Sequence, residues 1–175
     1  MRPSHGPAGN GKGAAVTERV EETVVALYRE KGLTLAAAES CTGGLIAKCI
    51  TDVPGASHVF LGGVVSYTNG VKHGVLGVPQ ELLDRFGAVS EPVAKAMAEG
   101  VRRISGADIG VSVTGVAGPD RDDRGNEVGT VYVGIAAAEG TRVIKPDVGK
   151  ESRTEIRRRA ADEVLKLALD AGREK

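Results

Sequence analysis

The sequence has no tryptophan, few other aromatic residues and no net charge. Aromatic side chains make up 3% of its 175 residues, so it lacks the rings on which nucleic-acid bases stack. Its 23 Lys and Arg residues balance 23 Asp and Glu residues, so it also lacks the basic excess of a general nucleic-acid binder. These absences argue against nucleic acid as a partner.

Cysteine, histidine and long apolar runs are also scarce. Cys41 and Cys49 are too few for a disulfide framework, and the three histidines are scattered, which argues against a metal site. No apolar run is long enough to span a bilayer, and the N-terminus has no apolar core of a signal peptide. We therefore expect a cytoplasmic protein without a membrane partner, a metal or a cofactor.

The sequence does contain an alternation of helix and strand patterns. Residues 1–14 are rich in Gly and Pro without periodicity, so we expect a disordered tail there and one domain over residues 15–175. Helices are predicted at 16–31, 45–51, 69–76, 79–86, 90–104 and 152–169. Strands are predicted at 33–38, 60–67, 107–114, 129–138 and 142–148. This order, which ends in a hairpin and a helix, predicts an α/β fold, a three-layer α/β/α sandwich with a mixed sheet.

Ser40 lies where a buried strand is followed by a glycine-rich turn and a helix. The turn contains Gly43 and Gly44, and the helical pattern starts at Leu45. The free N–H groups of a helix start favour negative charge, and they could hold a phosphate, a carboxylate or the oxyanion of a tetrahedral intermediate. The alternative is that Ser40 or Thr42 only caps the helix, and this segment alone slightly favours that alternative.

Two more strand ends carry polar or glycine-rich residues, at 66–69 and 114–119. Ligands of open α/β sheets collect at the C-terminal ends of the strands. Together with residues 40–44, these segments predict one shared pocket. Gly115 and Gly118 would let the backbone approach a ligand there, and a long surface turn is the alternative.

A serine nucleophile needs a base, and Lys72 is the best candidate. No histidine lies in a segment that resembles a triad loop, whereas Lys72 follows a strand end on a predicted short helix. A desolvated lysine can lose its proton near neutral pH, and a solvated helix lysine is the alternative. Tyr67 could relay a proton or stack on a ligand, or it is a half-buried strand residue. Cys41 ranks below Ser40 as a nucleophile because a catalytic cysteine normally needs a nearby cation or histidine, and we expect it to be a small packed residue.

Arg153 and Arg157 lie four residues apart at the start of the last helix. Such a pair could hold a phosphate through bidentate hydrogen bonds. Positive charge at a helix N-terminus is unfavourable for the helix dipole, which favours a ligand role. A solvated basic face is the alternative.

Five segments between about residues 20 and 170 match one known family, in the order that the family has. They are 38–44, 66–69 with Lys72 and 76–78, 87–91, 114–119 and 128–131. Together they resemble the CinA C-terminal domain family, many members of which are nicotinamide-nucleotide amidases. The resemblance implies hydrolysis of the carboxamide of nicotinamide mononucleotide, which gives nicotinic acid mononucleotide and ammonia without a metal.

The resemblance also implies roles for individual residues. Ser40 would match the nucleophile, Lys72 the base, and Tyr67 a residue that assists proton transfer or binding. Arg153 would match an arginine near the substrate, which is a small-molecule nucleotide. With the residues singled out above, the predicted substrate contacts are Thr42, Gly43, Gly44, Asn69, Thr114, Gly115, Gly118, Arg153 and Arg157.

The chain departs from the family pattern in two places. The family has glycines and a Lys-Pro where this chain has the charged segment 120–127, and the usual Gly-Asp-Arg reads Glu151-Ser152-Arg153. Both changes fall where the phosphoribosyl group would lie. The altered segment 120–127 favours the alternative of a non-catalytic pyridine-nucleotide-binding protein or an interaction protein tied to competence or DNA repair, whereas the intact Ser40 and Lys72 favour the enzyme. We also expect a homo-oligomer, with a dimer favoured. Family members often carry a larger N-terminal domain, and we expect this one to act without it.

Overall fold

The computed structural model describes residues 19–175. The predicted tail at 1–14 and the first three residues of the predicted helix at 16–31 lie outside this range. The helices are α1 Val20–Lys31, α2 Leu45–Thr51, α3 Asn69–Gly74, α4 Gln80–Phe86, α5 Glu91–Ser105 and α6 Arg153–Glu174, with a 3₁₀ turn at Ala56–His58. The strands are β1 Leu35–Glu39, β2 Phe60–Val65, β3 Ile109–Gly115, β4 Val131–Ala137 and β5 Gly140–Ile144.

The strands form one mixed sheet in the order β2-β1-β3-β4-β5. Strands β2, β1 and β3 are parallel, whereas β4 is antiparallel to β3 and forms a hairpin with β5. The parallel part therefore places the C-terminal ends of β1, β2 and β3 at one edge of the sheet. This architecture confirms the predicted α/β fold with a mixed sheet.

Helices cover both faces of the sheet and create two apolar clusters. Leu35 and Ala37 of β1 pack in the cluster that contains helices α1, α2 and α6. Ala36 and Ala38 belong to the other cluster, together with Met97 of α5. Strand β1 is buried on both faces, which explains why its residues before Glu39 are all apolar. The three layers of the predicted sandwich are therefore present.

Several element ends differ from the sequence prediction, and β5 spans Gly140–Ile144 where 142–148 was predicted. Strand β2 ends at Val65, which pairs with Glu39, the last residue of β1. Because its neighbour ends there, the chain leaves the sheet before Tyr67, whose side chain is 57% exposed. The interpretation of Tyr67 as a half-buried strand residue is therefore wrong. Helix α6 continues to Glu174, five residues past the predicted end at 169.

Within residues 19–175, no helix combines the length and the apolar character that a membrane span needs. The same residues contain no group of three His, Cys, Asp or Glu side chains arranged to share a metal ion.

Candidate active site

A cavity of about 180 Å³ lies at the C-terminal ends of the parallel strands. Residues that directly follow β1, β2 and β3 reach it, which is the shared pocket that the strand-end segments predict. Its lining is Ser40, Cys41, Tyr67, Lys72, Ala88, Val89, Thr114, Gly115, Ala117 and Arg153. The structure thus brings together six of the predicted site residues: Ser40, Tyr67, Lys72, Thr114, Gly115 and Arg153.

Ser40 and Lys72 contact each other on the floor of this cavity. Lys72 Nζ lies 2.8 Å from Ser40 Oγ and 2.6 Å from the carbonyl oxygen of Ser66, to which it donates. The Lys72 side chain is 1% exposed, so the alternative of a solvated helix lysine is wrong. Among residues 19–175, no carboxylate forms an ion pair with Lys72. Burial consequently lowers the pKa of Lys72 to about 8.

The lowered pKa makes Lys72 costly for folding stability at neutral pH. The penalty is fully present below pH 8, where the amine is protonated in both the folded and the unfolded protein. It disappears as pH rises toward 10.5, which is the pKa of the amine in the unfolded chain. The shift corresponds to roughly 3 kcal/mol, and loss of the bond to Ser66 would offset about 1 kcal/mol of it. We expect Lys72→Met to raise the free energy of unfolding by about 1–2 kcal/mol at neutral pH, measured by urea titration. A gain that is as large at high pH as at neutral pH would contradict this cause.

Cys41 lines the same cavity but is a poor nucleophile. Its side chain is 6% exposed, and this burial raises the pKa of the Cys41 thiol to about 11. At neutral pH the group is therefore a protonated thiol, whereas the thiolate is the reactive form. The environment favours Ser40 over its neighbour.

Glu39 is the site residue that sequence reasoning missed. Its buried carboxylate accepts hydrogen bonds from Thr42 Oγ1 at 2.6 Å and from the N–H groups of Gly44, Ile46 and Ala47 at 2.9–3.1 Å. The first N–H groups of helix α2 are therefore occupied from within the protein. A substrate anion therefore does not find these N–H groups free, and neither Ser40 nor Thr42 caps helix α2. A glutamate at the end of an otherwise apolar strand, just before a glycine-rich helix start, is the signal that could have revealed this.

Arg153 and Arg157 do not face the same site. Arg153 donates to the carbonyl oxygen of Gly118 at 2.6 Å and to the Tyr67 hydroxyl at 2.8 Å, at the mouth of the cavity. Arg157 donates through Nε to the carbonyl oxygen of Cys41 at 3.0 Å and through Nη2 to that of Thr42 at 2.7 Å. Because these bonds occupy two nitrogens of the Arg157 guanidinium at the turn that follows Ser40, the two arginines do not form the predicted phosphate clamp.

Several predicted substrate contacts lie outside the cavity lining. The hydroxyl of Thr42 and the N–H of Gly44 bind Glu39, and a Cβ on Gly43 would lie 3.4 Å from Arg157 Nη2. Asn69 begins helix α3, and Gly118 contributes its carbonyl oxygen to Arg153. Their contact with a substrate stays a prediction. The apolar wall made by Ala88, Val89 and Ala117 was not among the predicted site residues.

The charged segment 120–127 is held away from the cavity. Arg124 Nη2 donates to the carbonyl oxygens of Leu83 and Asp84 at the end of helix α4. Asp122 Oδ1 accepts from the N–H groups of Arg124 and Asn126 at 3.1 and 2.8 Å. No residue of this segment lines the cavity.

Comparison with known proteins gives consistent matches. The CinA C-terminal domain matches residues 17–171. A putative competence-damage inducible protein of Bacillus subtilis is 52% identical over 145 residues, which cover 83% of this chain and 34% of that protein. Its counterpart in Desulforudis audaxviator is 54% identical over 136 residues, which cover 76% of this chain and 33% of that protein. The chain thus spans about a third of the length of these curated relatives.

Solved structures match over most of the domain. The competence/damage inducible protein CihA from Agrobacterium tumefaciens superposes with a TM-score of 0.81 at 39% identity, covering 86% of this chain and 95% of that one. A CinA superfamily protein from Klebsiella pneumoniae superposes with a TM-score of 0.85 at 25% identity, covering 89% of this chain and 97% of that one.

Proposed function

Because the chain belongs to the CinA C-terminal domain family, we propose that it is an amidohydrolase that converts nicotinamide mononucleotide to nicotinic acid mononucleotide and ammonia. One observation carries this proposal: Ser40 Oγ lies 2.8 Å from the amine of Lys72, whose pKa burial lowers to about 8. A nucleophile beside a base with a pKa near neutrality is the arrangement that covalent amide hydrolysis requires.

The first half of the reaction forms an acyl-enzyme. The neutral Lys72 amine accepts the Ser40 proton, and its bond to the carbonyl oxygen of Ser66 holds Nζ in place. Ser40 Oγ attacks the carboxamide carbon and creates a tetrahedral intermediate. When the C–N bond breaks, the Lys72 ammonium returns its proton to the leaving nitrogen, which departs as ammonia.

The second half releases the carboxylate. Lys72 takes a proton from a water molecule, which attacks the ester carbonyl, and Ser40 regains its proton as the C–O bond to the enzyme breaks. The oxyanion of both intermediates needs a donor. Among the residues that the structure describes, the N–H of Cys41 donates to no backbone carbonyl oxygen, and this group directly follows the nucleophile. We assign the oxyanion contact to it.

The cavity also suits the two ends of the proposed substrate. Ala88, Val89 and Ala117 supply an apolar wall for the pyridine ring. The exposed residues Tyr67 and Arg153 lie at the mouth, where the ribose phosphate would extend. The phosphate would then replace the Tyr67 hydroxyl as the partner of one Arg153 nitrogen.

The direct test is incubation of the purified chain with nicotinamide mononucleotide. We expect ammonia and nicotinic acid mononucleotide to appear in equal amounts, measured by an enzyme-coupled ammonia assay and by chromatography. Ser40→Ala provides the matched background. If the nucleotide binds by calorimetry but no product forms, the chain is a binding protein and the amidase proposal is wrong.

Arg153→Gln is expected to weaken substrate binding more than turnover. A phosphate contact stabilises the ground and transition states alike, so its loss raises KM with little change in kcat. A charge-assisted hydrogen bond is worth roughly 1.5–3 kcal/mol, which corresponds to about a 10- to 150-fold rise in KM. Steady-state kinetics of the variant give both constants.

Nicotinamide riboside and Arg158→Gln are the controls for this contact. The riboside lacks the phosphate, so Arg153→Gln should hardly change its turnover. Arg158 lies on the same helix but pairs with Glu155 and Asp162 on the surface, so its replacement should leave both substrates unaffected. Equal efficiency of the unmodified chain with riboside and nucleotide would contradict the phosphate contact.

A further inference from the structure

We propose that Glu39 and Arg157 are positioning residues that grip the turn carrying Ser40 from opposite sides. We call this pair the turn clamp. The inference rests on the proposed function insofar as it takes Ser40 as the nucleophile. Neither residue lines the cavity, so neither acts on the substrate itself.

The turn from Ser40 to Gly44 needs external support because its own backbone bonds are few. The Ser40 N–H donates to the carbonyl oxygen of Val113, and the Gly43 N–H donates to that of Ser40. Gly43 and Gly44 have φ values of 60° and 102°, a left-handed region that glycine enters at little cost. Consecutive glycines leave this segment with a large backbone entropy, so side chains from outside must hold it.

Glu39 holds the turn from the inside and also connects it to the base. Its carboxylate binds the Thr42 hydroxyl and the Gly44 N–H. Its carbonyl oxygen accepts the Ser66 N–H at 2.7 Å, and the Ser66 carbonyl oxygen in turn accepts from Lys72 Nζ. One residue thus sets the position of the nucleophile through its side chain and the position of the base through its backbone.

Arg157 holds the turn from the outside. Two nitrogens of its planar guanidinium bind the carbonyl oxygens of Cys41 and Thr42. These carbonyls point toward helix α6, and because a trans peptide N–H lies opposite its carbonyl oxygen, the N–H of Thr42, which shares a peptide with the Cys41 carbonyl, points away from that helix. Arg157 therefore fixes the two peptides that follow Cys41 and Thr42, and with them the turn that carries the Ser40 hydroxyl and the proposed oxyanion donor.

The test uses Arg157→Gln, Arg157→Lys and Glu39→Gln, with Arg158→Gln as the matched control on the next surface position of helix α6. Each variant is assayed for labelling of Ser40 by a fluorophosphonate, a reagent that phosphonylates nucleophilic serines. Turnover of nicotinamide mononucleotide, its pH dependence and the thermal midpoint are measured on the same samples. Glu39→Gln removes a buried carboxylate and can fail to fold, so the result for Arg157→Gln decides whether the turn clamp is correct.

For Arg157→Gln we expect labelling and kcat to fall by about 100-fold, because a displacement of about 1 Å costs this much in an oriented site. KM should change little, since Arg157 does not touch substrate. The pH midpoint should stay the same, because burial is the main cause of the lowered pKa of Lys72 and Arg157 is not among the groups that shift it. Arg157→Lys should recover part of the rate, since an ammonium can bind one of the two carbonyls.

Labelling of Arg157→Gln at the rate of the unmodified chain would overturn the turn clamp. A rise in KM with unchanged kcat and labelling would overturn it as well and would return Arg157 to substrate binding. Failure of the unmodified chain to hydrolyse nicotinamide mononucleotide, with Ser40 still labelled, would refute the proposed substrate alone. Absence of Ser40 labelling in the unmodified chain would overturn the clamp together with the nucleophile.

Discussion

Ser40→Ala is expected to abolish ammonia release from nicotinamide mononucleotide and to leave the domain folded. Without Oγ no acyl-enzyme forms, and loss of a covalent nucleophile costs roughly four to six orders of magnitude in kcat. The fold should tolerate the change because Lys72 Nζ keeps its bond to the carbonyl oxygen of Ser66. We expect the free energy of unfolding to change by less than about 1 kcal/mol. Ammonia assays and urea titration of the same preparation measure both quantities.

Cys41→Ala is the matched control for the nucleophile. It removes the adjacent polar side chain from the same cavity, but burial keeps the pKa of this thiol near 11. The thiol is therefore protonated during turnover, and most of the activity should remain. An inactive Cys41→Ala beside an active Ser40→Ala would show that the cysteine is the nucleophile.

Replacement of Lys72 should have the second largest effect. Lys72→Arg keeps the positive charge but cannot lose its proton at any working pH. Removal of a general base costs about 10²- to 10⁴-fold in rate. We expect kcat/KM for nicotinamide mononucleotide to fall by this amount while the variant still binds the nucleotide, which calorimetry can measure.

The pH profile gives an independent test of the same base. In the proposed mechanism Lys72 works as the neutral amine, and burial lowers its pKa to about 8. Activity should therefore fall about tenfold per pH unit below that value and level off above it. A lysine that works as the protonated ammonium would give the opposite profile, with activity falling as pH rises through its pKa. A flat profile, or near-normal turnover of Lys72→Arg, would leave Lys72 as an electrostatic contact and not the base.

The predicted stabilisation of Lys72→Met connects this chemistry to folding. The buried amine lacks a carboxylate partner among the described residues, so the fold carries an unfavourable charge below pH 8. A variant that is more stable and inactive would be the expected trade-off at a catalytic site. A carboxylate beside Lys72 would have removed the penalty, but it would also have raised the pKa and kept the base protonated.

The sequence by itself determined the fold class and most of the residues that meet at the ends of the parallel strands. The apolar residues of β1 indicate a strand buried on both faces, and parallel strands of this kind collect ligands at their C-terminal ends. The order of elements placed residues 40, 66–72 and 114–115 at that edge, and the structure brings five of them to one cavity: Ser40, Tyr67, Lys72, Thr114 and Gly115. These features depend on local patterns, which a sequence displays directly.

Only the tertiary structure decided how the charged side chains are used. Arg153 and Arg157 lie four apart on one helix, yet the first reaches Tyr67 and the second reaches the turn after Ser40. The anion at the start of helix α2 is Glu39 of the protein itself, and the charged segment 120–127 binds the end of helix α4. The hydrogen-bond partners of a long side chain are often distant in sequence, and burial decides which polar groups must be paired. Neither the partners nor the burial is visible until the chain has folded.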